Sequence, residues 1–436
     1  MLKKLSVKNV GPADEMSLEL APRLNLITGD NSLGKTFLLD IAWYALTHYF
    51  AGRAAIPAPS LPRSEISAIR TDASGAIRET TASYILGTGV WGPRESNLDS
   101  TALVLYAHSD GRISVFDRTR ASSAHSPDFA APAGQANLSL EEIWKGNHQS
   151  RGLLTDWSIW QGWHDGAFLR LSRVLESLSP SPNEPITPGT PRKIITSDPV
   201  WYPTLRTPDG VEVPIIHASA GIRRILTLSY MLVWAWEDHL TNVQLLQEPP
   251  TREIVFLIDE IEAHLHPQWQ RRIVPALLNV ANALTGDSNT TIQLIATTHA
   301  PLILSSVESM FDDNSDAWFD LDRVNGKVSL TKRTYYSHGE VDDWLTSEAF
   351  DLPSSRSLEG ERAVKFAESL GDQESPSLED METAEAVLRT ARLPEFDRFW
   401  IRWGYFVEME KARIAAESAA QPQPAILADA ISGDHR

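Results

Sequence analysis

The chain has no cysteine among its 436 residues. That excludes disulfides, thiol nucleophiles and every zinc or iron–sulfur site built on thiolate, and it suits a reducing compartment. Long apolar runs are missing as well. The most continuous one, Ile225 to Trp236, is too short to span a bilayer, and the opening MLKKLSVKNVGPADEM has two lysines but no apolar signal core. A cytoplasmic protein without a membrane partner is the expectation. Positive charge is scarce: 39 Lys and Arg stand against 57 Asp and Glu, a net charge of −18. The average surface therefore repels nucleic acid and anionic membrane, and no basic run offsets it, so nucleic-acid binding would need a local patch that the charge does not support. No heptad pattern is sustained over three or four heptads, and there is no internal repeat.

What is present is a chain that is 42% apolar, enough for a full core in roughly two to three domain-sized units. Short apolar strands are expected near Leu5–Val10, Met16–Leu20 and Leu24–Thr28. A glycine turn and a helix from about Lys35 to Tyr49 follow. That turn, Gly29-Asp30-Asn31-Ser32-Leu33-Gly34-Lys35-Thr36, fits G-x-x-x-x-G-K-[ST] and continues into Phe37. In such a loop backbone N–H groups cradle phosphates, the lysine reaches the β/γ oxygens and the hydroxyl ligates Mg²⁺. A chance match has a probability on the order of one or two per cent at average composition, and the strand–loop–helix context lowers it. ATP and Mg²⁺ are the cofactors expected.

Two continuous apolar strands follow much later. REIVFLIDE ends in Asp259 and Glu260, and TIQLIATTH ends in His299. A first carboxylate can hold the Mg²⁺ shell and a second can polarise the attacking water. Without the phosphate loop this pair would read as two solvated charges. The histidine is placed to sense a γ-phosphate, although a lone histidine at a strand end is usually structural. Between loop and carboxylates, HASAGIRRILTL puts Ser219-Ala220-Gly221 at the start of a buried helix. In isolation that is an ordinary N-cap, and by position it is a second anion-binding helix terminus.

The order GDNSLGKT, ASAGIRR, FLIDEIEAHLHP, ATTH resembles the ABC-type ATPase heads of RecF-like, SMC-like and OLD (overcoming-lysogenisation-defect) proteins over residues 1–50 and 210–310. The resemblance implies an α/β P-loop NTPase of the ABC-head type, with an inserted β lobe and helical lobe and a C-terminal helical extension. The expected bounds are 1–50 with 200–335 for the split core, 51–199 for the insertion and 336–436 for the acidic C-terminal region. It implies Lys35, Glu260 and His299 as catalytic groups and Thr36 and Asp259 on Mg²⁺. Ser219, Ala220 and Gly221 would act in trans on ATP held by a second copy, in a head-to-tail homodimer that could build a higher oligomer. The segment EAHLHP becomes the loop after the base. Two departures stand out: Ser32 replaces a usual glycine, and Ile222 a usual glutamine. The pattern is also similar to ATPase subunits of bacterial anti-phage systems, Septu and retron-associated, which implies a separate effector such as a nuclease. The alternatives are a DNA-repair ATPase of RecF or SMC type, a transporter subunit, and a stand-alone OLD-type nuclease.

Gln161 in DWSIWQGW is a candidate for the Mg²⁺-contacting glutamine, against a reading in which Trp157, Trp160 and Trp163 pack the lobe and Gln161 caps a turn. His264 and His266 lack zincin spacing. DAWFDLD superficially resembles the D-x-D of a nuclease but fits a core strand better. Phe396, Phe399, Trp400, Trp403 and Phe406 form a helical stripe that reads as core.

Overall fold

The computed structural model describes residues 1–57, 63–72, 75–92, 102–123, 134–163, 165–194, 201–207, 210–373 and 375–420. It divides into two compact units, Met1–Asp351 and Leu352–Arg436.

The first unit is built on an eight-stranded sheet. Its five middle strands are parallel, in the order Asp316–Val324, Leu24–Gly29, Thr291–Thr297, Glu253–Ile258 and Leu103–Ala107. Lys327–Arg333 pairs antiparallel at one edge, and Ile113–Phe116 with Gln135–Leu138 at the other. Parallel strands buried on both faces read as unbroken apolar runs, which is why IVFLI and LIAT carry no alternation. Register sorts them nonetheless. Val255, Leu257 and Ile295 face one core with the helix Lys35–Thr47, and Ile254, Phe256 and Leu294 face the other. The second face is covered by the helices Leu153–Trp163, Gly166–Ser177, Ala220–Leu246 and Ile273–Thr285. Each fully buried Leu or Ile here contributes roughly 1.5–3 kcal/mol.

A second sheet, Glu15–Glu19, Leu2–Lys8, Glu65–Thr71, Ile77–Ile85 and Val90–Gly92, is antiparallel throughout. The helix Lys35–Thr47 lies between it and the central sheet, with Leu38, Leu39 and Ile41 almost wholly buried. A hairpin turns at Asp110-Gly111, with Gly111 at φ 87°. Its strands, however, extend the central sheet. The strands Leu103–Ala107, Ile113–Phe116 and Gln135–Leu138 therefore join the core instead of standing in an inserted lobe bounded at 51 and 199, because Leu103–Ala107 pairs residue for residue with Ile254–Ile258.

The second unit begins at Leu352, not at 336. It is three helices, Leu358–Ser369, Leu378–Thr390 and Phe399–Ala420. Phe399 and Trp403 enter its core, with Trp400 and Phe406 packed at the margin. Phe396 precedes the helix and is 90% exposed, so the stripe loses its first member. Within the described residues no helix is long and apolar enough to cross a membrane.

Candidate nucleotide-binding and catalytic site

The three motif strands lie side by side: the middle strand Thr291–Thr297 separates the strand that feeds the glycine loop from the strand that ends in Asp259. All three run in the same direction, so the loop, the carboxylates and His299 emerge together at their C-terminal ends. Residues far apart in the chain are thereby collected into one cluster.

The loop is shaped by backbone chirality. Gly29 has φ 129° and Gly34 φ 106°, and a Cβ on Gly29 would lie 2.2 Å from the carbonyl oxygen of Leu321. Only glycine fits at that strand end. Ser32, the departure from glycine, holds φ 66° and so adopts the left-handed conformation that glycine takes freely, at a cost of the order of 1 kcal/mol. Leu33 is buried, Asn31 is exposed, and Phe37 packs at Gly11. The Lys35 Nζ donates to the carbonyls of Gly29 at 2.6 Å and Asp30 at 2.8 Å. Burial lowers the pKa of this ammonium, opposed by the field of Asp259 and Asp30. Its bonds are to neutral carbonyls, which an incoming phosphate can replace with stronger charge-assisted ones.

The Thr36 hydroxyl donates to Asp259 Oδ2 at 2.8 Å, and that of Thr297 donates to Asp259 Oδ1 at 2.8 Å. Asp259 is thus held from both sides and is 1% exposed. Thr297 Oγ1 also accepts the Glu260 amide at 2.8 Å. Glu260 has φ 48°, a conformation that costs a non-glycine residue of the order of 1–3 kcal/mol and is found mainly at functional sites. Its carboxylate makes no hydrogen bond among the described residues and stays available. Glu262 accepts from the Thr298 hydroxyl at 2.7 Å and the His299 amide at 2.6 Å, which orients the histidine. Burial, then the charge of Lys35, lowers the His299 pKa, so the imidazole is neutral at pH 7. A neutral ring can donate from one nitrogen and accept at the other.

Ser219 caps the 27-residue helix Ala220–Leu246, its hydroxyl accepting the Ile222 amide at a long 3.5 Å. The Ala220 and Gly221 positions lie at the helix N-terminus. Gly221 packs so closely on the loop after Glu260 that a Cβ would sit 2.9 Å from the His264 carbonyl oxygen. Gln161 is placed elsewhere. Its amide donates to the Gly189 carbonyl at 2.8 Å and accepts from the Trp157 indole at 3.1 Å, so it ties its own helix to the segment after the strand Thr187–Pro188 and makes no hydrogen bond to Thr36 or Asp259. Trp157 and Trp160 are buried and Trp163 is exposed. In DAWFDLD, Asp316 pairs with Arg23, Asp320 pairs with Arg333 and accepts from the Thr28 hydroxyl, and Asp322 accepts the Arg323 amide, so the first two of its three acids are used within the sheet. The Nδ1 of His266 accepts the Gln268 amide at 3.4 Å as a helix cap.

Several residues escaped sequence reasoning. Thr297 and Thr298 were readable, as hydroxyls at the end of a strand leading to His299. Asp40 was also readable, one helical turn after Thr36. It bonds the Tyr106 hydroxyl at 3.1 Å, and burial pushes its carboxyl up to about 6. His108 and Arg224 carried no local signal.

Residues 170–305 match the family described as "AAA domain, putative AbiEii toxin, Type IV TA system". The matched span lies in a mixed α/β fold whose parallel sheet carries a strand–loop–helix of P-loop type at residues 24–47. The match takes in Ser219–Gly221, Asp259, Glu260 and His299, while the glycine loop at 29–36 precedes it and joins through the sheet. The retron Ec83 probable ATPase of Escherichia coli is 40% identical over 148 residues, 33% of this chain and 23% of that one. The Septu protein PtuA of Bacillus thuringiensis is 22% identical over 318 residues, 69% of this chain and 72% of that one. Among solved structures, an SMC head bound to the C-winged helix domain of ScpA aligns with 76% of this chain and 97% of its own, at 15% identity and a TM-score of 0.40. The chain spans under a quarter of the length of the retron relatives it matches.

Proposed function

We propose that the protein hydrolyses ATP, closes as a head-to-tail dimer around two ATP molecules, and through that cycle controls a separate effector, such as a nuclease, in anti-phage defence. The observation that carries the reading is the Thr36 hydroxyl on Asp259 at 2.8 Å. It joins two motifs 223 residues apart into one hard-oxygen donor set of the kind Mg²⁺ takes. The residues fit the nucleotide too, since the left-handed Gly29 and Gly34 open the loop and Lys35 is bonded only to carbonyls. Lys35 and the loop amides of residues 29–36 would hold the phosphates, with Thr36 and Asp259 on the metal. Bound Mg²⁺ supplies charge neutralisation at the phosphates. Glu260, unpartnered and projecting from a strained turn, is the group to accept a proton from water. His299, neutral and aimed by Glu262, is the γ-phosphate contact.

The trans role of Ser219–Gly221 rests on a helix N-terminus with a weak cap, leaving its amides for an anion. The defence role rests on the likeness to a retron ATPase and to PtuA. A net charge of −18 argues against the DNA-repair alternative.

The test is the molar mass of Glu260→Gln by light scattering, with and without Mg-ATP, beside Lys35→Ala. A doubling of mass with ATP in Glu260→Gln alone supports the dimer. A mass that stays monomeric in both, with nucleotide bound to Glu260→Gln, removes the head-to-tail assignment.

A further inference from the structure

Arg224, on the first turns of the helix Ala220–Leu246, is a buried cation without an anion beside it. It is only 7% exposed, yet among the described residues no carboxylate lies within ion-pair distance. One guanidinium nitrogen, Nη1, donates to the carbonyl of His108 at 3.1 Å, and Nη2 has no hydrogen-bond partner. Such a group is expensive: an unpaired charge in a protein interior costs several kcal/mol. The surroundings show what it serves. His108 follows the strand Leu103–Ala107, and the carbonyl of Ala107 accepts the amide of Asp259 at 2.9 Å. Consecutive carbonyls of one strand end thus hold Asp259 and Arg224. Burial lowers the pKa of the Arg224 guanidinium, opposed by the charges of Asp259, Asp110 and Glu260. A cavity of about 340 Å³, bordered by Asp110, Ala220, Arg224 and His264, opens beside it. The same helix meets the loop after Glu260 a second time, where Gly221 packs on His264.

We propose that Arg224 is a positioning residue whose charge, tethered at His108, sets the placement of the Asp259–Glu260 strand end and ties it to the helix that begins at Ser219. Two buried cations share this region, Lys35 and Arg224. Lys35 is mounted on the phosphate loop and would be engaged by phosphate once nucleotide binds, whereas Arg224 stays tethered to the strand end that also takes the Asp259 amide. Its attachment to the Ser219 helix means that a shift of this helix moves a positive charge relative to the catalytic acids, a coupling between elements that is physical contact and not proximity alone.

The inference rests on the ATPase reading, and the experiment separates the two. Full-length wild type, Arg224→Gln and Arg224→Lys are compared for ATP turnover and for affinity of a fluorescent ATP analogue, with thermal midpoints as the fold control. Gln keeps a donor for the His108 carbonyl and loses the charge; Lys keeps both. For Arg224→Gln, kcat should fall about tenfold or more with KM and analogue affinity changed less than about threefold, while Arg224→Lys retains most of kcat. Equal losses in both variants, or full activity in Arg224→Gln, overturn the charge role. Should Arg224→Gln fail to fold, Arg224→Lys decides alone: retained turnover supports the proposal and lost turnover rejects it. A wild type that turns over no ATP sinks the ATPase reading itself.

Discussion

Asp40 shows how one carboxyl records the crowding of charge around the site. Burial raises it to about 6, from 3.8 in an open chain, against the bond it accepts from Tyr106. A folded value above the unfolded one means that ionisation opposes folding. The penalty is full above pH 6 and is relieved as the pH falls toward 3.8, because the folded form takes up its proton first. Asp40→Asn keeps an acceptor for Tyr106 and has nothing to ionise. Without nucleotide, it should be more stable than wild type by about 1–2 kcal/mol at pH 8, discounted for partial exposure, and by roughly half that at pH 5. Urea midpoints of the pair at the two pH values measure this. A difference independent of pH would show that Asp40 is not the titrating group. His108, depressed to about 4 by burial, acts in the opposite sense, since stability tied to its neutral form is lost as the pH falls below 6.5; it is common to both proteins and cancels in the comparison.

At the scale of elements, the helix starting at Ser219 is where a structural and a functional reading differ measurably. As a cap, Ser219 is weak: its hydroxyl accepts one amide at 3.5 Å, so Ser219→Ala should cost at most about 1 kcal/mol of stability. As a group acting on a second copy's ATP, the same hydroxyl would matter far more to turnover, with a loss of roughly tenfold or more at unchanged thermal midpoint. Turnover that falls no further than the stability loss explains returns Ser219 to being a helix cap. Legibility followed a similar division. The loop at 29–36, the strand ends at Asp259 and His299 and the helix after Ser219 were readable because each is a local pattern: apolar run, turn residues, then charge. Gln161 was misplaced since a glutamine flanked by tryptophans carries no local sign of whether it packs or binds. That Leu103–Phe116 would complete the central sheet was hidden for a related reason. A hairpin declares its own turn at Asp110-Gly111, but nothing in it declares its partner at Ile254–Ile258, which lies beyond 130 residues of intervening chain. Arg224 was invisible on the same ground, as an ordinary arginine until His108 is placed beside it.

For the molecule as a whole, the question is how much of the chain the nucleotide site needs. The cores of the first unit draw on residues from Leu2 to Phe350, and that of the second on residues from Ala363 to Ile414. The second unit has its own capped helices, with a capping box at Ser377–Asp380 and an Arg356–Asp397 ion pair bonded through two nitrogens. Every residue assigned to phosphate, metal or proton transfer lies before Asp351. A chain ending at Asp351 should therefore fold and bind an ATP analogue within about threefold of the full-length affinity, because no ligand-facing group is removed. Fluorescence titration of the two chains makes the comparison, and the Lys35→Ala variant of each sets the level of non-specific binding. If the shortened chain folds, by its thermal transition, yet binds more than tenfold weaker, the C-terminal unit takes part in forming the site. If affinity holds while ATP-driven association of the Glu260→Gln variant disappears, that unit belongs to assembly, and the effector would be sought on it.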